Sequence, residues 1–349
     1  MTPIPTTTKP SLSPATATRR FNWLMTLLSL WLISGLHLDA WAHHQFEVET
    51  FFTPWHAILY SGFAATAVAL IGTIFWNYRQ TGVRQIKNWQ TAVPTGYQLA
   101  LLGVVLFLVG GVGDTVWHLL FGIEENLEAL LSPTHLLLGL GGGLIITAPL
   151  RAAWQQTKAA PTLTTLLPAL ISLALTLSLF SFFTAYAHPL AETAVSGTPP
   201  LNVEQQGFLQ AQGIASILLQ TIIMMGLLLT IMRRWTLPFG SLTIVLTLAT
   251  LLTVAVHEDF YLLVIPFVTG IVADSFYRWF SPIMIRPIHF RQLAFLLPAL
   301  FYATYFTVLA LTSGLWWTVH LWAGAIVLAG IAGWLLSYAI IPAGAKLAS

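Results

Sequence analysis

Long apolar runs separated by short polar segments recur along the whole chain. A run of about 20 residues is long enough to cross the hydrocarbon core of a bilayer as a helix. Ten such runs lie near 21–42, 55–77, 97–120, 134–154, 162–187, 208–232, 239–257, 260–280, 292–313 and 315–341. The pattern therefore predicts an all-α fold, a polytopic helical membrane bundle of about ten transmembrane helices whose surroundings are a lipid bilayer.

Composition supports this class. Only 7% of the 349 residues are charged, 56% are hydrophobic and the mean hydropathy is +0.78. A soluble domain of this size with so few charges would have an insoluble surface. The chain has no cysteine, so disulfides and thiolate ligands are excluded and a metal ion would need imidazole and carboxylate ligands. No nucleic-acid partner is expected.

Basic residues indicate the orientation, because lysine and arginine concentrate in cytoplasmic loops. With ten spans, all fourteen basic residues fall at one side, and both termini are predicted to be cytoplasmic (N-in/C-in). Asp274 is the one acid near that side, while the other acids and most histidines fall at the opposite helix ends. The protein is therefore expected in a plasma, inner or other energy-transducing membrane, with its histidines and carboxylates on the non-cytoplasmic side.

The first span has an alternative interpretation. Arg19 and Arg20 precede an apolar run that ends in Ala40-Trp41-Ala42, which resembles a signal-peptide cleavage site. The run is longer than a signal core, and cleavage would remove His37 and Asp39 from the motif described next. A retained membrane helix is therefore favoured.

Two polar clusters interrupt the apolar pattern. In the first, Asp39 and His43 are four residues apart and share one helix face. Thr53-Pro54 then predicts the start of a second helix, with His56 in its first turn. A helical hairpin would bring these three side chains together, and two imidazoles with one carboxylate suit a metal ion.

The second cluster repeats the first. Asp114 and His118 have the same spacing, and Ser132-Pro133-Thr134-His135 repeats the helix start. Carboxylates also recur seven residues before the last histidine, as Glu49 and Glu128. They could be metal ligands, acceptors that orient a ligand imidazole, or residues of the hairpin connection, and the acceptor role is preferred. Ionisable residues near a membrane interior are costly, so the repeat predicts two metal sites.

Other polar residues are single and therefore weaker candidates. His257 and Glu258 are possible catalytic residues at the end of the seventh span, and His37 stands two residues from Asp39. The remaining candidates at helix ends are His44, His188, Glu192, Asp259 and His320, for which local hydrogen bonding is the simpler interpretation. His289 lies among arginines on the cytoplasmic side and is expected to have no site role.

The first cluster resembles a known family. The pattern Asp39-x3-His43-x12-His56, with Phe52-Thr53-Pro54 inside it, is similar to the metal-site signature of the C subunit of particulate methane and ammonia monooxygenases. In that family a second set of Asn, His and His follows at a similar distance. The resemblance covers about residues 35–145 and departs from the family pattern where Asp114 replaces asparagine. It implies two neighbouring copper sites.

These observations divide the chain into a disordered tail at 1–20, a four-helix metal-binding region of two hairpin repeats at 21–154, and a six-helix membrane scaffold at 155–349. The leading hypothesis is a copper-dependent, monooxygenase-like oxidoreductase that takes O2 or a small apolar substrate, alone or in a homo- or hetero-oligomer. The same ligands suit zinc or iron. A zinc-dependent intramembrane hydrolase, with His257 or Glu258 as proton shuttle, and a non-catalytic metal or cation transporter are the alternatives.

Overall fold

The computed structural model describes residues 15–46, 53–80, 89–122, 126–192, 194–280 and 287–341. All regular elements in this part of the chain are helices, which confirms the predicted all-α class. They are α1 (Arg19–Gln45), α2 (Pro54–Gln80), α3 (Trp89–Ala92), α4 (Gln98–Phe121), α5 (Asn126–Leu131), α6 (Pro133–Ile146), α7 (Ala148–Gln156), α8 (Leu163–Phe183), α9 (Val203–Arg234), α10 (Ser241–Ala255), α11 (Val264–Phe280), α12 (Pro287–Thr312) and α13 (Val319–Ile340).

Nine segments of the described chain are long and apolar enough to cross a membrane. Helices α6 and α7 form one of them, since only Thr147 separates the two. The predicted seventh span is shorter than expected. Helix α10 has 15 residues, so its length of about 22 Å falls short of a hydrocarbon core of about 30 Å.

A contact from another helix determines where α10 begins. Gly240 precedes it in the left-handed region, with φ of 91°, and offers no side-chain cap. Instead the Asp274 carboxylate of α11 accepts hydrogen bonds from the backbone N–H of Leu242 and Thr243, at 3.1 and 3.0 Å, and from the Thr243 hydroxyl at 2.7 Å. Asp274 thus provides the hydrogen-bond acceptor for the N–H groups in the first turn of α10, although it lies 31 residues away in sequence.

Two hydrophobic cores lie side by side. One is built largely from α1, α2, α4 and α6, and the other from α8 to α13. Helix α8 is the most buried span and packs against α1, α6, α7, α9 and α10. It therefore joins the two cores along its whole length.

Small residues allow the first four spans to form two tight hairpins. A Cβ atom on Gly35 of α1 would come within 2.8 Å of the Leu59 Cα in α2. A Cβ on Gly141 of α6 would come within 2.6 Å of the Phe107 backbone nitrogen in α4. Close backbone approach at these glycines pairs α1 with α2 and α4 with α6.

The part of the chain that the structure describes begins before the predicted first helix. Ala15 donates a backbone hydrogen bond to Thr91 and accepts one from Thr95, and Ala17 is buried. Thr18 caps α1 by accepting from the Phe21 N–H at 3.2 Å. The sequence assigns residues 15–20 to the tail, but Ala15 is bonded to the segment around α3 and Arg19 and Arg20 begin α1.

Candidate metal centre

The first hairpin brings together Asp39, His43 and His56. Asp39 and His43 lie one turn apart near the end of α1, and His56 is in the first turn of α2. Oδ2 of Asp39 is 3.9 Å from Nε2 of His43 and 3.6 Å from Nε2 of His56. Donor atoms bound to one ion at the usual bond lengths lie about 3 to 3.5 Å apart, so a small contraction would bring all three to one ion.

The second hairpin repeats this arrangement with Asp114, His118 and His135. Asp114 and His118 end α4, and His135 is in the first turn of α6. Nε2 of His118 is 3.6 Å from Oδ2 of Asp114, and Nε2 of His135 is 3.1 Å from Oδ1. In each group the three ligand atoms lie within 4.8 Å of one another, and no other group in the described residues meets that limit.

The tautomer of His118 is set by its backbone contact. Nδ1 of His118 lies 3.2 Å from the carbonyl oxygen of Gly122. Because a carbonyl only accepts, Nδ1 carries a proton, and Nε2 of a neutral ring then presents a lone pair. That lone pair faces the Asp114 carboxylate. Two acceptors in this geometry repel each other unless a cation, either a proton or a metal ion, lies between them.

The carboxylates are also suited to a cation. Asp114 is 1% exposed, and its Oδ1 accepts a hydrogen bond from the Thr134 hydroxyl at 2.8 Å. Oδ1 of Asp39 is buried and accepts no hydrogen bond from the residues that the structure describes. An ionised carboxylate with a buried, unsatisfied oxygen is costly unless a metal ion or a proton compensates it. The donor set of each triad therefore fits a bound metal ion.

Both triads open into one cavity of about 1190 Å³. It lies at the end of the bundle where α1, α4, α8 and α10 finish and α2 and α6 begin. Below the triads its wall is apolar, with Leu36, Phe107, Leu138, Leu179 and Phe183 among the lining residues. The Asp39 carboxylate is within electrostatic range of the second triad, so the two groups are neighbours.

His37 lines the same cavity but has a structural role. Its Nδ1 donates to the Ile33 carbonyl at 2.9 Å, and its Nε2 lies 3.0 Å from the Ser178 hydroxyl, which donates to it. Both ring nitrogens are thus satisfied, and the side chain is 3% exposed. His37 joins α1 to α8 and does not take part in the first triad.

The possible catalytic residues His257 and Glu258 lie at the rim of the cavity. Glu258 accepts a hydrogen bond from Nε1 of Trp41 at 2.8 Å. The ring of His257 packs on that of His44, with centroids 5.0 Å apart. Burial holds the pKa of His257 below its ordinary value, and His44 acts in the same direction. Neither residue joins a triad.

His188 lies near this rim and is buried. Its Nδ1 accepts a hydrogen bond from the Leu190 N–H at 3.2 Å. Burial lowers the pKa of His188 to about 4, and nearby His257 lowers it further. The side chain is therefore neutral at physiological pH and stabilises the turn after α8.

The remaining predicted residues are outside the triads. Glu128 is exposed on α5, and its role in orienting His135 stays a prediction. Glu49 lies outside the described residues. His320 is exposed on α13, and His289 pairs with Gln292, with 2.9 Å between Nδ1 and Oε1.

Three residues near the triads carried too weak a sequence signal to be assigned a role. Thr53 lies 2.8 Å from Nδ1 of His56, and Thr134 bonds Asp114. The Tyr60 ring stacks on His56, with centroids 6.4 Å apart, and contacts Phe107. Each of the three stands one to four residues from a triad histidine, at a spacing that places it on the same helix turn or the next.

Comparison with models of protein families, with curated proteins and with solved structures gave no match. The fold and the site therefore define the class by themselves. Nine apolar helices in the described chain indicate an integral membrane protein. Two buried groups of two histidines and one aspartate can each hold a metal ion. This combination is compatible with a membrane metalloprotein.

Proposed function

We propose that the protein is a copper-dependent oxidoreductase of the membrane, with two neighbouring metal centres that act on a small apolar substrate or O2. Asp39, His43 and His56 would hold one ion, and Asp114, His118 and His135 the other. When bound, copper would supply one-electron redox chemistry and an open position for a small molecule.

The observation that carries this proposal is the orientation of His118. Its Nδ1 is committed to the Gly122 carbonyl, so its Nε2 lone pair points at Asp114. A proton on Nε2 or a bound metal ion would relieve the repulsion between the two groups, and His135 Nε2, at 3.1 Å from the same carboxylate, would supply a third donor to a metal ion. The same three residue types meet in the first hairpin. Two separately built copies of one ligand set support metal binding over chance pairing.

The choice of copper and of oxidation has two supports. The first is the resemblance of Asp39-x3-His43-x12-His56 to the copper membrane monooxygenase signature. The second is the apolar wall directly below the triads, where Leu36, Leu138 and Leu179 offer no hydrogen bonds. Such a wall favours a small apolar molecule, whereas a substrate with an amide or ester bond would need polar partners.

The chain's own residues would hold the site in place. The Thr53 hydroxyl contacts Nδ1 of His56, and the Gly122 carbonyl oxygen contacts Nδ1 of His118. Tyr60 and Phe107 cover the space beside the triads with aromatic rings. These contacts orient the imidazoles before an ion arrives, which lowers the cost of binding.

The test is metal content. The full chain, purified in detergent, is analysed by mass spectrometry and by electron paramagnetic resonance, beside the double variant His43→Ala/His118→Ala. His289→Ala is the matched control, because it removes a half-buried histidine outside the triads. We expect copper in the wild type and the control, and its loss in the double variant.

The other outcomes are equally informative. Stoichiometric zinc gives no signal in the resonance experiment. If zinc is found and is lost in the double variant, the zinc-dependent hydrolase becomes the favoured function in place of the oxidoreductase. Equal metal content in all three proteins would remove the triads as metal sites and with them the proposed function. If copper is present in the wild type and lost in the double variant, the next experiment measures O2 consumption by the wild type with small hydrocarbons.

A further inference from the structure

A second set of imidazoles and carboxylates lies at the mouth of the cavity. His44 is at the end of α1, Glu192 is in the turn after α8, and His257 follows α10. All three line the cavity into which the triads open. We call His44, Glu192 and His257 the rim cluster. Its members come from three separate elements, so local sequence does not explain their meeting.

The two imidazoles of the rim cluster are as close as those of the triads. The ring centroids of His44 and His257 are 5.0 Å apart. The corresponding distance is 5.8 Å for His43 and His56 and 5.8 Å for His118 and His135. The two rings of the rim pair are therefore as close to each other as the rings of either triad pair.

The position of the rim cluster is fixed by its neighbours. Trp41 and His44 are three residues apart on α1 and share a face, which is different from the face of Asp39 and His43. The Trp41 indole donates to Glu258, the residue after His257, at 2.8 Å. This bond ties the end of α1 to the turn that carries His257.

The turn itself is strained. Glu258 has φ of 62° and is the only non-glycine residue in the described chain with a left-handed backbone. A side chain in this region is strained, and such strain is concentrated at functional sites. The residue with this backbone directly follows His257, whose ring packs on that of His44.

The charges around the rim pair favour a cation. The carboxylates of Glu192 and Asp259 are both within electrostatic range of His257. Their negative potential at a cavity mouth raises the local concentration of cations. Three ligand atoms within 4.8 Å occur only at the triads among the described residues. A rim ion would therefore have two close nitrogen ligands and more distant carboxylates, and would bind less tightly than a triad ion.

We propose that the rim cluster is a third metal site, in which His44 and His257 bind a transition-metal cation with support from Glu192 and pass it through the shared cavity to the triads. Ion binding at the rim is independent of the proposed function, whereas the transfer step rests on it. The higher affinity of the triads provides the driving force for the transfer, and the cation enters through the water-accessible mouth of the cavity.

Ion counting tests the binding step. The full chain in detergent is freed of metal, titrated with Cu²⁺ alone and desalted, and bound copper per chain is measured by mass spectrometry. We expect the wild type and the His289→Ala control to hold one ion more than His257→Ala. His44→Ala should lose the same ion, and since His44 is exposed this variant retains the fold. Equal copper in all four proteins would overturn the proposal.

The triad variant separates this proposal from the proposed function. His43→Ala/His118→Ala should keep the rim ion, and the further change His257→Ala should remove it. If the triads bind no ion while the rim ion persists, the proposed function fails and the rim site stands. If the triads bind and His257→Ala changes nothing, the rim site fails alone.

Loading kinetics tests the transfer step. With copper limiting, and the reaction stopped by chelator at intervals, His257→Ala should fill the triads several-fold more slowly than the wild type while reaching the same final occupancy. An unchanged rate would overturn the transfer role. A lower final occupancy would mean that His257 supports the triads themselves, which also contradicts a relay.

Discussion

Oγ1 of Thr53 lies 2.8 Å from Nδ1 of His56, the ring nitrogen opposite the one that faces Asp39. The same hydroxyl accepts the His56 backbone N–H at 3.2 Å and so caps α2. An imidazole that binds an ion through Nε2 carries its proton on Nδ1 and donates it to a neighbour. Thr53 therefore starts the helix and also contacts the ring nitrogen through which His56 would be oriented if it binds a metal ion.

Replacing Thr53 tests this double role. We expect Thr53→Ala to lower the metal affinity of the first triad about 10- to 100-fold, the usual effect of removing the partner of a ligand imidazole. Thr53→Ser keeps the hydroxyl and should retain wild-type affinity. Competition with a chelator of known affinity measures both. An alanine variant that binds as tightly as the serine variant would contradict the role of the hydroxyl.

Gly141 sets the distance between the two helices of the second triad. A Cβ there would lie 2.6 Å from the Phe107 nitrogen and 2.8 Å from the Gly103 carbonyl oxygen, both backbone atoms that cannot turn aside. We expect Gly141→Ala to separate α4 from α6, to destabilise the protein by about 1 to 3 kcal/mol and to lose metal from the second triad. Thermal unfolding and metal content are the measurements.

The adjacent Gly142 provides the control. A Cβ at this position would meet only the Phe107 ring, at 3.7 Å, which is ordinary contact. Gly142→Ala should therefore keep both the stability and the metal. If both alanine variants lose stability and metal to the same extent, the cause would be the replacement of a glycine in α6 as such and not the close approach of α4 and α6 at Gly141.

Asp274 should contribute to stability without contributing to metal binding. Asp274→Ala leaves two backbone N–H groups of α10 and the Thr243 hydroxyl without their acceptor. We expect a loss of at least about 2 kcal/mol in the free energy of unfolding, with unchanged metal content. Ser275→Ala is the matched control, because Ser275 is exposed and bonds only its own helix. A loss of metal in Asp274→Ala would show that α10 helps to build the site.

His188 gives the unfolding free energy a predictable dependence on pH. Its pKa is about 4 in the folded chain and about 6.5 when exposed. The unfolded state therefore binds the proton first as the pH falls. Stability from this residue is fully present above about pH 6.5, is reduced by about 2 kcal/mol at pH 5, and levels off below about pH 4.

The His188→Asn variant isolates this effect. Asparagine offers an oxygen in place of Nδ1 for the Leu190 N–H and does not titrate. The difference in unfolding free energy between wild type and variant should shrink as the pH falls from 7 to 5, measured by chemical unfolding in one detergent. A constant difference would mean that His188 does not stay neutral in the folded protein.

The two triads were predictable because their signals are local. Asp39 and His43 share a helix face by spacing alone, and Pro54 and Pro133 mark where the second helices begin. A short hairpin has few ways to close, so the third ligand follows from the first two. The apolar run lengths identified the helices for the same reason, since crossing a membrane requires about 20 apolar residues whatever the packing.

Contacts between distant parts of the chain decided the features that the sequence did not predict. The span predicted at 239–257 is the shorter α10, and its first turn is capped by Asp274, 31 residues away. His37, near Asp39 in sequence, turned to Ser178, which lies 141 residues further along the chain. The closeness of the two triads and the meeting of His44 with His257 depend on how hairpins pack around α8. Residue spacing encodes a helix face, but only packing selects which faces meet.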